Sequence, residues 1–246
     1  MRLLILLLLP LIAHGQLRID HETFDPSEKE IREVLAATIA AFPETKLPPL
    51  FVTNSSEGPL TLFDRSPRGE VIIKLDVQGR YWSQMIYQFA HELTHIRAGF
   101  RLDGQENKWF EETLCETASL YTLRKLTLTW RDHPHFGDYR HKLADYAQKI
   151  ITTREKVTLE SLPAFYQKHK IALRKNPKNR PINGAIAAAL LPLFEIGPER
   201  WNSLTTLNKT TAKKDLTFPA YFLKWYEDST QENRATILLI KNHFLK

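Results

Sequence analysis

The stretch RYWSQMIYQFAHELTHIRAG, residues 80–99, decides how the chain is interpreted, because it combines a helical packing pattern with a group of reactive side chains. Apolar residues recur every three or four positions, which is the spacing of a helix with one buried face. They are Trp82, Ile86, Phe89, Leu93 and Ile96. Gly99 follows as a C-terminal cap. We therefore predict a buried helix that starts near Arg80 and ends at Gly99.

This helix carries a candidate zinc site. His91 and His95 lie one turn apart, about 5.4 Å along the axis, and project together on a side away from the apolar stripe. Glu92 flanks the same face. The pattern H-E-x-x-H supplies two imidazole ligands and a carboxylate that can act as a general base. A catalytic zinc site needs a third protein ligand, which must come from elsewhere in the chain. The alternative is a chance polar face on a core helix.

A second helix, predicted over 107–126, supplies acidic candidates. Glu112 and Glu116 share one face, so one can ligate zinc while the other accepts a hydrogen bond from a ligating imidazole. Helical spacing alone leaves either of them as the ligand, with Glu111 as a further candidate. Glu111 also suits a first helical turn, where the helix dipole favours negative charge. Cys115 falls off the glutamate face and is interpreted as a buried thiol.

These segments resemble the gluzincin metallopeptidases, the thermolysin-like and aminopeptidase-N-like group, over about residues 70–125. The resemblance is carried by HELTH (91–95) and WFEETLCETASLY (109–121). Aminopeptidase-like members have a tryptophan three residues before the ligating glutamate, which selects Glu112 over Glu111. Thermolysin-like members have a supporting acid four residues after that ligand, the position of Glu116.

The resemblance implies a zinc-dependent peptidase with one Zn²⁺ per chain, held by His91, His95 and Glu112. Glu92 would take a proton from water as it attacks a peptide carbonyl, then pass that proton to the leaving amine. Such enzymes usually add a donor to the oxyanion, for which Tyr139, His141 and Tyr146 are candidates. They also align an extended peptide along an edge strand, a role that the resemblance gives to the strand predicted over 71–77.

Residues 1–15, MRLLILLLLPLIAHG, place one arginine before an apolar run and small residues after it, as in a cleaved export signal. The run from Leu3 to Ala13 contains Pro10 and is shorter than the roughly 20 residues that span a bilayer. We therefore predict a secreted or periplasmic protein without a stable membrane anchor, whose mature chain starts near Gln16.

Composition narrows the class of protein further. A chain of 246 residues, 43% hydrophobic and 25% charged, suits a compact globular protein. The formal charge of +6 is spread along the chain, and the basic segments lack interleaved aromatics, so nucleic-acid binding is not predicted. A single cysteine excludes a disulfide framework. The expected partner is a peptide or protein substrate, and the sequence does not define the oligomeric state.

The predicted fold class is α+β and zincin-like, with a small, mostly antiparallel sheet, the active-site helix and a helical C-terminal part. A helix is predicted over 26–42, short extended pieces over 47–56 and 59–66, and a linker candidate over 174–184. Later helices are predicted over 138–153, 159–171, 184–195, 198–206, 217–227 and 230–244. The chain then divides into a signal peptide (1–15), a catalytic core (16–130) and a C-terminal part that closes the cleft (131–246).

Three functions fit these patterns. The first is an exported zinc metallopeptidase. The second is a zinc hydrolase that uses the same residues on a non-peptide amide, such as a cell-wall cross-link. The third is a zinc-bearing binding protein without catalysis, against which Glu92 argues because ligation alone does not require it. The histidines of HPHFGDYRH (133–141) are interpreted as an exposed turn and not as a second metal site.

Overall fold

A computed structural model describes residues 17–99, 106–209 and 216–245. The predicted signal peptide, residues 1–15, lies outside these ranges. Buried apolar side chains form one continuous core that extends from Leu17 to Phe244. The fold is α+β, as predicted, with a small sheet near the start of the chain and helices through the rest.

The sheet has four short strands in the order β1-β2-β4-β3. They are β1 (Leu17–Ile19), β2 (Leu50–Asn54), β3 (Leu60–Arg65) and β4 (Val71–Leu75). β1 is parallel to β2 and β2 to β4, whereas β3 is antiparallel to β4. The prediction of a mostly antiparallel sheet is therefore wrong. Between β1 and β2, the helix over Glu28–Ala40 returns the chain to the same end of the sheet, as a parallel pair requires.

The strand predicted over 71–77 forms, but it lies inside the sheet and not at its edge. In β4 the side chains of Val71, Ile73 and Leu75 are buried and alternate with partly exposed ones. β3 occupies the edge, with a strand neighbour on one side only in the described part of the chain. The edge strands of this sheet are β1 and β3, so the assignment of an edge strand to residues 71–77 is corrected.

Eight α-helices surround this sheet in the described ranges. They are α1 (Glu28–Ala40), α2 (Trp82–Arg97), α3 (Lys108–Thr129), α4 (Arg140–Thr152), α5 (Leu162–Lys175), α6 (Arg180–Ile196), α7 (Phe218–Asp228) and α8 (Gln231–Phe244). Each predicted helix is found, although residues 198–206 form a 3₁₀ helix. The linker predicted over 174–184 is wrong, because α5 and α6 are joined by a short turn in which Asn179 caps α6.

The helices α2 and α3 pack against each other and carry the candidate site. The predicted apolar stripe of α2 is buried except for Ile96, which is partly buried, and the helix ends before Gly99, whose φ of +81° is a conformation that glycine adopts without strain. Helix α3 is buried around most of its circumference because α2, α4 and α6 all pack on it. Polar side chains on α3 must therefore find their partners inside the protein.

The C-terminal aromatic residues pack against the start of α3. The ring of Phe218 lies 4.8 Å from that of Trp109 and 5.4 Å from that of Phe110, and Phe222 and Phe244 complete the cluster. These side chains are all buried. This buried cluster fixes the position of α3, the helix that bears the candidate glutamates.

No single helix in the described ranges has both the length and the apolar composition needed to cross a membrane. Taken together, α6 and the 3₁₀ helix Pro198–Thr206 meet those criteria, but they are bent by 115° at the break between them. Ten residues of α6 are buried inside the protein, as in the core helix of a globular fold.

An ion pair connects the first strand to the turn before β4. The Arg18 guanidinium lies 3.5 Å from the centre of the Phe51 ring and donates to both carboxylate oxygens of Glu70, at 2.8 and 2.6 Å. The Ser66 hydroxyl donates to the same carboxylate at 2.5 Å. The Arg18 hydrogen bonds, followed by that of Ser66, hold the pKa of the buried Glu70 carboxyl at about 2.

We predict that Glu70→Gln lowers the free energy of unfolding at pH 7 by about 1–2 kcal/mol, since a partly exposed, bidentate charged pair is lost. Because the folded pKa lies below the ordinary value of 4.5, this stabilisation is present above pH 4.5 and disappears as the pH falls toward 2. Urea denaturation of both proteins between pH 2 and pH 7 measures it. The matched control is Glu57→Gln, because Glu57 is the exposed ion-pair partner of Lys74. This change should lower the free energy of unfolding by less. An equal loss at every pH would contradict the assignment.

Candidate metal centre and cleft

The two histidines of the motif lie side by side on α2. Their ring centres are 5.1 Å apart and their planes are inclined by 69°. His95 is buried, while the His91 side chain retains 15% of its exposure. This arrangement follows from the one-turn spacing of the motif, which lets both rings approach a single point.

Glu112 of α3 approaches both rings from the facing helix. Its Oε2 lies 3.3 Å from Nε2 of His91 and 3.7 Å from Nε2 of His95. Burial raises the pKa of the Glu112 carboxyl, but the two imidazoles outweigh this effect and hold the pKa well below its usual range. The structure thus brings together the three side chains that the sequence predicted as ligands, with an ionised carboxylate between two imidazoles.

Glu111 contacts the opposite nitrogen of His95. Its Oε1 lies 2.5 Å from His95 Nδ1, and its Oε2 accepts a hydrogen bond of 2.9 Å from Asn208. If Nδ1 donates its proton to Glu111, Nε2 is the nitrogen of His95 that can bind a metal. Glu111 therefore occupies the position of a carboxylate that orients a ligating histidine.

Glu116, the residue predicted for that support, is hydrogen-bonded elsewhere. Its carboxylate accepts a short hydrogen bond from the Tyr87 hydroxyl of α2. Burial and then the Glu116 charge raise the pKa of Tyr87 well above its ordinary value, so the phenol keeps its proton and acts as the donor. The predicted role of Glu116 as the support of a ligating histidine is therefore corrected. Glu111 makes the contact with His95 Nδ1.

Cys115 also reaches this cluster, although the sequence interpretation placed it off the face of the glutamates. His91, His95 and Cys115 each offer one candidate ligand atom within 4.8 Å of the other two, so this group can bind a metal. The thiol is fully buried, as predicted, and burial raises its pKa to about 12 despite the opposing effect of His95. Two candidate third ligands therefore lie beside the histidines, Glu112 and Cys115.

The candidate general base is held by the edge strand. Thr61 of β3 donates a hydrogen bond of 2.8 Å to Oε2 of Glu92, and both residues are buried. This contact links α2 to β3 and leaves Oε1 of Glu92 available as a proton acceptor. Thr61 was not singled out in the sequence, because one threonine in an extended segment carries no signal of its partner.

A cavity of about 660 Å³ opens over these groups and is bordered by β3, α2, α3 and the α4–α6 side of the protein. His91, Glu92, His95 and Glu112 all line it. Among the three candidate oxyanion donors, only Tyr146 lines this cavity. Tyr139 instead contacts Ser83 at 3.4 Å.

The predicted exposed turn is confirmed for His133 and His135, which are at least partly exposed, whereas His141 is exposed on α4. His135 contacts Glu33 of α1 at 3.2 Å, an acidic neighbour that the local sequence could not reveal. One ion pair across a surface does not provide the three or more ligands of a stable metal site.

No protein-family model, curated protein or solved structure matches the chain. The chemistry of the site is therefore argued from its own residues.

We predict that Glu111→Gln weakens zinc binding by about 10- to 100-fold, because His95 loses the charge that orients it and raises its basicity. Zinc dissociation constants from competition with a chromophoric chelator measure this effect. The matched control is Glu116→Gln, which removes a charge about 1.4 turns further along α3 and should change the constant by less than about threefold. If Glu116→Gln weakened zinc binding more than Glu111→Gln, Glu116 would instead be the supporting carboxylate.

Proposed function

We propose that the protein is a zinc-dependent metallopeptidase in which His91, His95 and Glu112 hold one Zn²⁺ per chain. Two neutral imidazole nitrogens and one carboxylate oxygen are a donor set typical of catalytic zinc, which keeps a further position open. The fit rests on the buried convergence of these three groups at 3.3 and 3.7 Å. Bound zinc supplies a Lewis acid that polarises a carbonyl and acidifies water.

We favour Glu112 over Cys115 as the third ligand because of access. Glu112 lines the cavity together with both histidines, whereas Cys115 is fully buried behind them. A catalytic ion must face the space that admits the substrate. A carboxylate that is already ionised also needs no deprotonation to bind a cation.

Glu92 is the proton carrier in this proposal. Its Oε2 is held by Thr61, and its free oxygen can accept a proton from attacking water and return it to the leaving amine. Glu92 contributes nothing as a ligand to the proposed set, so its place in the cavity favours catalysis over a purely structural metal site. Tyr146 is the remaining candidate for stabilising the oxyanion.

The observation that favours a peptide over another amide is the position of β3. This edge strand borders the cavity through Leu60 and Thr61, and its side away from β4 can pair with the main chain of an extended substrate. Small or branched amides do not offer a repeating main chain to such an edge. Export to the periplasm or the cell exterior stays part of the proposal and rests on residues 1–15.

We expect the zinc-loaded protein to cleave members of an internally quenched peptide library, and Glu92→Gln to reduce kcat by at least about 100-fold while zinc content stays near one per chain. Glu160→Gln, an exposed carboxylate without an ion pair in the described residues, is the matched control and should cleave normally. Full activity of Glu92→Gln would refute its role. Absence of cleavage by zinc-loaded wild type across the library would refute the peptidase.

A further inference from the structure

The wall of the cavity on the α4–α6 side carries positive charge. Arg154, which follows α4, and Lys178 and Arg180, at the start of α6, all line this wall. Other arginines of this half are paired, Arg124 with Glu195 at 2.7 Å and Arg174 with Glu106 at 3.1 Å. No ion pair is found for the three cavity-lining cations within the described residues, so their charge is available to a ligand.

The Arg154 side chain packs against a glycine of α6. Its guanidinium lies over Gly184 of α6, where a Cβ atom would stand 2.5 Å from Nε and 3.1 Å from Cζ. Only glycine leaves this space, so the side chain packs on the helix instead of extending into solvent. Its Nε is buried and has no hydrogen-bond partner in the described structure.

A second buried polar side chain on this wall lacks a partner. Asn183, next to Gly184, is 2% exposed and lines the cavity. Its Nδ2 donates to the Pro177 carbonyl at 2.6 Å, whereas its Oδ1 is buried without a partner. Buried polar groups are almost always hydrogen-bonded, and an amide oxygen accepts, so Asn183 Oδ1 suits a main-chain N–H donor of a bound peptide and not its carboxylate.

Two tyrosines line the same cavity as the cationic wall and the proposed zinc ligands. Tyr87 and Tyr146 are packed edge to face, with ring centres 6.1 Å apart, and both line the cavity. The Tyr87 hydroxyl, a neutral donor, is hydrogen-bonded to the Glu116 carboxylate. The cavity thus has an acidic, histidine-bearing part on α2 and α3 and a cationic part on α4 and α6.

We propose that Arg154 and Arg180 form a carboxylate-binding subsite, so that the preferred substrates are peptides with a carboxylate a short distance from the cleaved bond. This inference rests on the proposed function, for which it names the substrate class. A guanidinium can bind a carboxylate through two parallel hydrogen bonds, and partial burial strengthens the attraction relative to water. The carboxylate belongs either to the C-terminus of the peptide or to an Asp or Glu side chain.

Binding to the Glu92→Gln protein loaded with zinc tests the subsite without requiring turnover. The probes are a fluorescein-labelled alanine hexapeptide with a free C-terminal carboxylate, the same peptide amidated, and amidated peptides with Glu or Gln scanned through the sequence. Fluorescence anisotropy gives the dissociation constants. We expect a carboxylate to tighten binding by about tenfold or more relative to its neutral counterpart, since charge-assisted bonds contribute this much. Preference for the free C-terminus or for internal Glu identifies the source.

Charge variants in the Glu92→Gln background assign the preference to the wall. Arg154→Gln and Arg180→Gln should each reduce the carboxylate preference by at least threefold, and Arg154→Lys should retain part of it. Arg180 is exposed, so its variant tests the subsite even where Arg154→Gln fails to fold. Arg131→Gln, on an exposed turn, is the matched control and should retain the full preference.

The outcomes separate the two proposals. Equal binding of charged and neutral peptides, undetectable binding of all of them, or a preference that survives both Arg154→Gln and Arg180→Gln would overturn the subsite. Cleavage of library peptides by wild type without any carboxylate preference would overturn the subsite and leave the peptidase standing. A carboxylate preference in binding, lost in the arginine variants, with no cleavage by wild type would support the subsite and refute the peptidase.

Discussion

The structure depends on burying several ionisable side chains between α2 and α3 while giving each of them a partner. A buried charge without a partner costs several kcal/mol, whereas hydrogen-bonded pairs offset most of that cost. His95 lies between Glu111 and Glu112, and His91 contacts Glu112 from the cavity side. Asn208 anchors Glu111 at one end of this chain of contacts, and Thr61 separately holds Glu92 of α2. The two helices must therefore pack in one register, and the same register assembles the site.

Sequence periodicity predicted the elements that carry the site because both helices are long and strongly patterned. It also selected His91 and His95, since spacing along a helix fixes which side chains share a face, whereas Glu112 was selected by the resemblance. The resemblance assigned Glu116 as the supporting carboxylate, but Glu111 makes the contact with His95 Nδ1. Helix α3 is buried around most of its circumference, so it has no solvent-facing side from which the inner face can be inferred. The order of the strands was missed for a related reason, since pairing between distant segments leaves little trace in either segment alone.

The residues that the sequence did not suggest come from three separate parts of the chain. Thr61 lies on the edge strand, Asn208 follows the 3₁₀ helix, and Arg154 packs over Gly184. No local sequence pattern marks any of these residues, because each makes its contact with a residue distant in the sequence. The C-terminal helices also shape the site. Residues at the start of α6 contribute to the cationic wall, and the aromatic cluster of α7 and α8 packs on α3 and positions it.

X-ray absorption at the zinc edge, on protein loaded with one equivalent of zinc, tests the central claim most directly. Two histidines and Glu112 predict a shell of nitrogen and oxygen at about 2.0–2.1 Å, with the scattering pattern of two imidazoles and no sulfur. A sulfur neighbour at about 2.3 Å would place Cys115 in the shell and contradict the assigned ligand set. A shell of oxygen alone would show that zinc does not bind between α2 and α3.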